Sequence, residues 1–228
     1  MIYKLRTPTA EEGLTQVAII VVGGSNRGVG KTALVCGLIA ALPEFRWTAV
    51  KITADDHGQS KPIWEETTPG EETDTSRYLA AGAVRALLAT PPQRGQPPAP
   101  DFPPMLSELW PRFGRGTNLL FESNGIVHHV RPDLCLLIHA SPGKGLAPVV
   151  RKPSFTAAVL HADALVTRSS ADGVIPDGLC LPVPEPNSAL SADSNPTPKP
   201  IFHLASLEHL SPEMLAWVRL KLHLPEHS

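Results

Sequence analysis

Val17-Ala18-Ile19-Ile20-Val21-Val22-Gly23-Gly24-Ser25-Asn26-Arg27-Gly28-Val29-Gly30-Lys31-Thr32 carries three signals in one line. Val17 to Val22 is a continuous apolar, β-branched run, the pattern of a strand buried on both faces. A glycine-rich turn follows. From Thr32 to Leu42, Leu34, Val35, Leu38, Ile39 and Leu42 recur at helical spacing before Pro43 stops the helix. A phosphate chain needs many donors and a fixed positive charge. Glycines let backbone N–H groups turn inward, a helix N-terminus adds partial positive charge, and a lysine reaches the terminal phosphates. Gly28, Gly30 and Lys31 supply these parts, and Thr32 puts a hydroxyl where Mg²⁺ is held. The cradle therefore comprises Gly24, Ser25, Asn26, Arg27, Gly28, Val29, Gly30, Lys31 and Thr32. Its spacing is one longer than G-x4-GK[ST], because Ser25 stands where that pattern has glycine.

Downstream, strands and helices alternate. Strands are expected at Trp47 to Thr53, Val84 to Ala89, Leu119 to Glu122, Leu134 to His139, Ala164 to Thr167 and Ile201 to Leu204. Helices are expected at Asp74 to Ala81, Met105 to Trp110 and Ser211 to Leu222, the last with Pro212 in its first turn. This order predicts one α/β domain over residues 1–228, three-layered, with a mainly parallel sheet and helices on both faces. Two proline-rich stretches, Pro91 to Pro104 and Pro182 to Pro200, read as loops or extended spacers.

Composition narrows the classes. A net charge of −2 over 228 residues gives no general affinity for nucleic acid or anionic membrane. The apolar runs are strand-sized, too short to span a bilayer. Met1 to Thr15 lacks the apolar segment of a signal peptide. Cys36, Cys135 and Cys180 lie in apolar patterns without CxxC spacing, as buried thiols of a reducing compartment do, so a cytoplasmic address is expected.

The loop resembles that of dethiobiotin synthetase, G-T-D-T-x-V-G-K-T. Gly24, Val29, Gly30, Lys31 and Thr32 match, while Ser25, Asn26 and Arg27 differ. The stretch beyond is similar to the molybdopterin-guanine dinucleotide biosynthesis protein B family in three places. These are Lys51 at a strand end, Asp74-Thr75-Ser76-Arg77 leading into Ala81-Gly82-Ala83, and Leu119-Leu120-Phe121-Glu122. Both are P-loop families, so the resemblance implies a P-loop NTPase fold with ATP or GTP and Mg²⁺. It leaves three functions open: an Mg-dependent NTPase of cofactor metabolism, an ATP-dependent ligase, and a nucleotide-binding module with little turnover. A small-molecule substrate, a partner enzyme or a homodimer are the associations it leaves open. Ser123-Asn124-Gly125 departs from both families, which have glycine directly after the glutamate.

Each candidate group has a functional and a plain reading. Lys51 serves as a catalytic cation beside Lys31, or is a solvated strand end. Glu122 joins Thr32 at the metal, or is an ordinary glutamate. Asp74 is a third metal or substrate contact, or a helix cap. Arg27 covers the γ-phosphate or points to solvent. Asp55, Asp56 and His57 form a polar metal-binding loop or an exposed turn. His128 and His129, read as a strand, face opposite ways and make no joint metal site.

Guanine selection asks for an aspartate after a strand in an Asn/Thr-Lys-x-Asp turn. Thr167-Arg168-Ser169-Ser170 has Ser170 in that register, and Asp172 comes two residues late. One hydroxyl cannot accept both hydrogen bonds from the guanine edge, a loss of about 1–3 kcal/mol. GTP and ATP are therefore expected to differ in affinity by no more than roughly tenfold to hundredfold. Competition binding checks this; a preference beyond about a thousandfold, lost in Asp172→Ala, would show that the loop reads guanine after all.

Overall fold

The computed structural model describes residues 17–54, 62–94, 99–114, 116–139, 153–168 and 199–223. Strand β1 (Ile19–Gly24) lies at the centre, every residue of it buried. It starts and ends later than the apolar run suggests, because Gly23 and Gly24 still pair with Leu137 and Ile138 of β8 (Leu134–His139). On its other side β1 pairs with β7 (Leu119–Glu122). The sheet has eight strands in the order β10-β9-β8-β1-β7-β2-β4-β3. The remaining members are β2 (Thr48–Ile52), β3 (Ile63–Glu66), β4 (Arg85–Ala89), β9 (Ala164–Arg168) and β10 (Ile201–Leu204). Every pairing is parallel except β3 with β4.

Side-chain alternation along the strands splits the core into two layers. Ile20, Val22, Ala49, Ala86 and Leu120 face α1 (Lys31–Ala41), α2 (Asp74–Ala80) and α5 (Pro212–Lys221). Val21, Val50, Leu87 and Phe121 face α3 (Phe102–Leu109) and α4 (Pro153–His161). The three-layer α/β arrangement with helices on both faces is thus present. Each Val, Leu, Ile or Phe sealed in these layers contributes about 1.5–3 kcal/mol.

Several expectations need correction. The proline stretch at 91–104 is not purely loop: Gln93–Arg94 (β5) pairs with Ala99–Pro100 (β6), and α3 begins at Phe102 with a proline in its first turn. Proline is tolerated there because the first N–H groups of a helix have no intrahelical partner. His128 and His129 do not lie on a strand; Ile126–His128 is a 3₁₀ turn closed by His129. The edge strand β3 and helix α4 were not anticipated. Pro182 to Pro198 and Asp55-Asp56-His57 lie outside the described residues.

Cys135 is buried and Cys36 half-buried; burial pushes their thiols up to about 12 and about 11, so both stay protonated at neutral pH. Cys180 lies outside the described residues.

One contact ties the two ends of the fold. A Cβ at Gly37, inside α1, would meet the backbone oxygens of Leu207 and Glu208 at 2.8 and 2.9 Å. Glycine in a helix costs about 1 kcal/mol against alanine, and here it permits that close approach. Gly37→Ala is expected to destabilise the protein by about 1–3 kcal/mol through overpacking against rigid backbone. Urea unfolding with an unchanged slope and a lower midpoint checks it; an unshifted midpoint would show the segment yields.

Candidate functional site

The chain leaves β1 at Gly24 and turns into α1 through residues 25–30. Gly28 and Gly30 have φ of 73° and 102°, the left-handed region that side chains rarely adopt, so glycine is required at both places. Gly30 caps α1 without a side-chain bond, leaving the first N–H groups of the helix turned to the loop. Lys31 Nζ donates to the Asn26 carbonyl at 3.2 Å, folded over the loop.

The loop is braced from three sides. Ser25 N–H donates to the Ile138 carbonyl at 2.9 Å. Asn124 grips Gly24 through both ends of its amide: Gly24 N–H donates to Oδ1 at 2.8 Å, and Nδ2 donates to the Gly24 carbonyl at 3.0 Å. Leu207, in the β10–α5 connection, fills the place that a Gly30 side chain would occupy.

Parallel pairing places Val22 opposite Glu122 and Glu122 opposite Lys51. Thr32 Oγ1 donates to Glu122 Oε2 at 2.8 Å, and the Tyr78 hydroxyl donates to the same oxygen. Lys51 Nζ lies 3.9 Å from Glu122 Oε1 and is directly ion-paired with Asp74. Glu122 is 4% exposed, and a buried carboxylate is tolerable only with such donors and a nearby cation. The Tyr78 phenol is held well above its ordinary pKa, first by burial and then by the Glu122 charge, so it remains a donor. Thr32, Glu122, Lys51 and Asp74 thus come together on one side of the loop. They line an open cleft of about 1000 Å³ with Gly24, Asn26, Arg27 and Lys31.

The cap of α2 is Thr73, which accepts from Ser76 N–H at 3.0 Å in a reciprocal capping box. Asp74 is therefore spared for Lys51. Tyr78 and Asn124 escaped the sequence reading. Tyr78 lies four residues after Asp74 and so on the same helix face, a signal that was there to use. Asn124 had no signal, because its role depends on which strand lies beside β1. At the far end of β9, Thr167 and Arg168 are described, but Ser169, Ser170 and Asp172 lie outside the described residues.

A strand, a loop with two left-handed glycines and a helix, at the carboxyl edge of a mainly parallel sheet, define an α/β protein of the P-loop class. Neither a scan of protein families nor a search of curated proteins gives a match. Among solved structures, the chain is similar to LpxK from Aquifex aeolicus, crystallised in complex with ATP. Identity is 20%, the TM-score is 0.45, and the match covers 82% of this chain but only 53% of LpxK. The chain thus spans about half the length of that protein, and its class rests on its own loop and sheet. No helix among the described residues is long and apolar enough to cross a membrane.

Asn124→Asp keeps the acceptor for Gly24 N–H but sets a second carboxylate oxygen against the Gly24 carbonyl. The expected cost is about 1–3 kcal/mol of folding stability, from one lost donor and the unsatisfied groups left behind. A denaturation midpoint equal to the parent's would rule out the clamp.

Proposed function

We propose that the chain binds a nucleoside triphosphate with Mg²⁺ at Gly24–Thr32 and cleaves or transfers its γ-phosphate. The observation that carries this is the Thr32–Glu122 hydrogen bond at 2.8 Å, beside Lys31 and at the mouth of the loop. A hydroxyl and a carboxylate at that distance form an all-oxygen donor pair suited to a hard divalent cation. When bound, Mg²⁺ neutralises charge on the β- and γ-phosphates.

The chain's own residues do the positioning. The N–H groups of residues 26–30 and the start of α1 cradle the phosphates. Lys31 swings from the Asn26 carbonyl onto the β- and γ-phosphate oxygens. Tyr78 and Lys51 hold the Glu122 carboxylate in place beside Thr32. Lys51 also adds positive charge where the γ-phosphate ends. Asp74, paired with Lys51, faces the space beyond that phosphate rather than completing the metal ligands.

Of the three functions the resemblance leaves open, a phosphoryl-transferring NTPase fits this arrangement best. A carboxylate-activating ligase asks for a Lys51 ammonium offered to an anionic substrate, and here Asp74 pairs with it. A nucleotide-binding module with little turnover would use the same Thr32–Glu122 pair, and the rate of phosphate release separates it from an NTPase. A place in cofactor metabolism is carried by the resemblance to protein B, through Asp74-Thr75-Ser76-Arg77 and Lys51.

Lys31→Ala removes the charge over the phosphates and is expected to weaken triphosphate binding by about 2–5 kcal/mol, with an unchanged circular dichroism spectrum. Calorimetric titration of ATP and GTP with Mg²⁺ tests it. Equal affinity in parent and variant would end the P-loop assignment.

A further inference from the structure

Cross-strand register lays out one row of side chains on the α1–α2 face of the sheet. Val22 is opposite Glu122, Glu122 opposite Lys51, Lys51 opposite Leu88, and Leu88 opposite Trp64. Strands lie about 4.8 Å apart, so Trp64 is roughly 14 Å from Glu122 and roughly 10 Å from Lys51. Glu122, Lys51, Leu88 and Trp64 all line the cleft, as does Asp74. Along the row the chemistry changes in order, from metal-side acid to cation to apolar floor to indole.

A bound triphosphate does not fill this space. With Thr32 and Glu122 holding the metal as proposed above, the γ-phosphate would lie on the β7 side of the loop. The nucleoside then extends the other way, toward β8 and β9, and the half of the cleft over β2, β4 and β3 is left for a second molecule. Apolar and aromatic walls with a few convergent polar groups are what small-molecule sites are made of.

Resting on the nucleotide reading above, the geometry points to an acceptor site for an alcohol with a planar apolar body about 10 Å long, the span from Lys51 to Trp64. Its ring lies over Leu88 against Trp64, and its hydroxyl sits at Asp74. An anionic nucleophile is disfavoured, because Asp74 would repel it and it has no proton to give. In the transfer step the hydroxyl proton passes to the Asp74 carboxylate as the alcohol oxygen bonds to the γ-phosphorus. The bond from that phosphorus to the β–γ bridging oxygen breaks, and its electron pair leaves on the nucleoside diphosphate. Asp74 then returns its proton to water. Lys51 steadies Asp74 and the transferring group from between them.

The test uses the full chain with γ-³²P-labelled ATP and Mg²⁺, and 2-naphthylmethanol and tryptophol as probe alcohols. A labelled phosphate monoester is expected for at least one probe, formed in step with ADP and saturating with alcohol. Trp64→Ala should raise the half-saturating alcohol concentration about tenfold with a smaller change in kcat. Trp64→Tyr, which keeps an aromatic ring on the strand, should recover most of that loss and guards against a folding defect. Asp74→Asn should cut transfer at saturating alcohol by about a hundredfold or more, with partial recovery in Asp74→Glu. ADP and free phosphate released at one rate with or without either alcohol, and no ester, would overturn the acceptor site while leaving the nucleotide site standing. An ester whose half-saturation ignores Trp64→Ala and Trp64→Tyr would overturn the placement along the row. Absence of any ATP binding would remove both readings together.

Discussion

The site depends on one pairing, β1 beside β7 in the register that sets Val22 against Glu122. A slip of one residue would turn Glu122 to the opposite face of the sheet, and Thr32 would lose its partner. The loop can be glycine-rich and the helix well formed, yet without this register no carboxylate meets the Thr32 hydroxyl. Burial of both strands on both faces enforces it, since any slip would expose Ile20 and Leu120 or bury polar groups in their place.

Around that pairing the charges are arranged as a chain of mutual support. Glu122 is buried and receives two hydroxyl donors; Lys51 stands near it and is itself neutralised by Asp74. Removing any member leaves its neighbour with an uncompensated charge or lone pair, so the members act as a unit. The same logic places the cation between two acids, one turned to Thr32 and one to the open cleft. Polarity thus falls off along the sheet from Glu122 to Trp64, set by nothing more than strand order.

Much of the fold was legible in the residues. The apolar run at Val17 to Val22, the glycines and the helical spacing after Thr32 placed β1, the loop and α1 to within two residues. Leu119 to Glu122 and Leu134 to His139 fell on their strands, because short buried strands read as continuous apolar runs. β3 was not legible: Ile63-Trp64-Glu65-Glu66 is half polar and stands at an antiparallel edge, where one face needs no apolar residue. α4 was overlooked although Pro153 opens it in the position prolines favour. The brace of Asn124 on Gly24 and the row ending in Trp64 are products of strand order, which local pattern does not encode.

The packing of Leu207 against Gly30, and of the Leu207 and Glu208 carbonyls against Gly37, has a bearing on synthesis. The cradle leaves the ribosome well before its backstop, which lies about 170 residues later in the sequence. Between the two, the early strands hold a loop with nothing behind it, and contacts this distant in sequence form late. On the nucleotide reading proposed above, firm uptake of a triphosphate would report that the segment around Leu207 has docked.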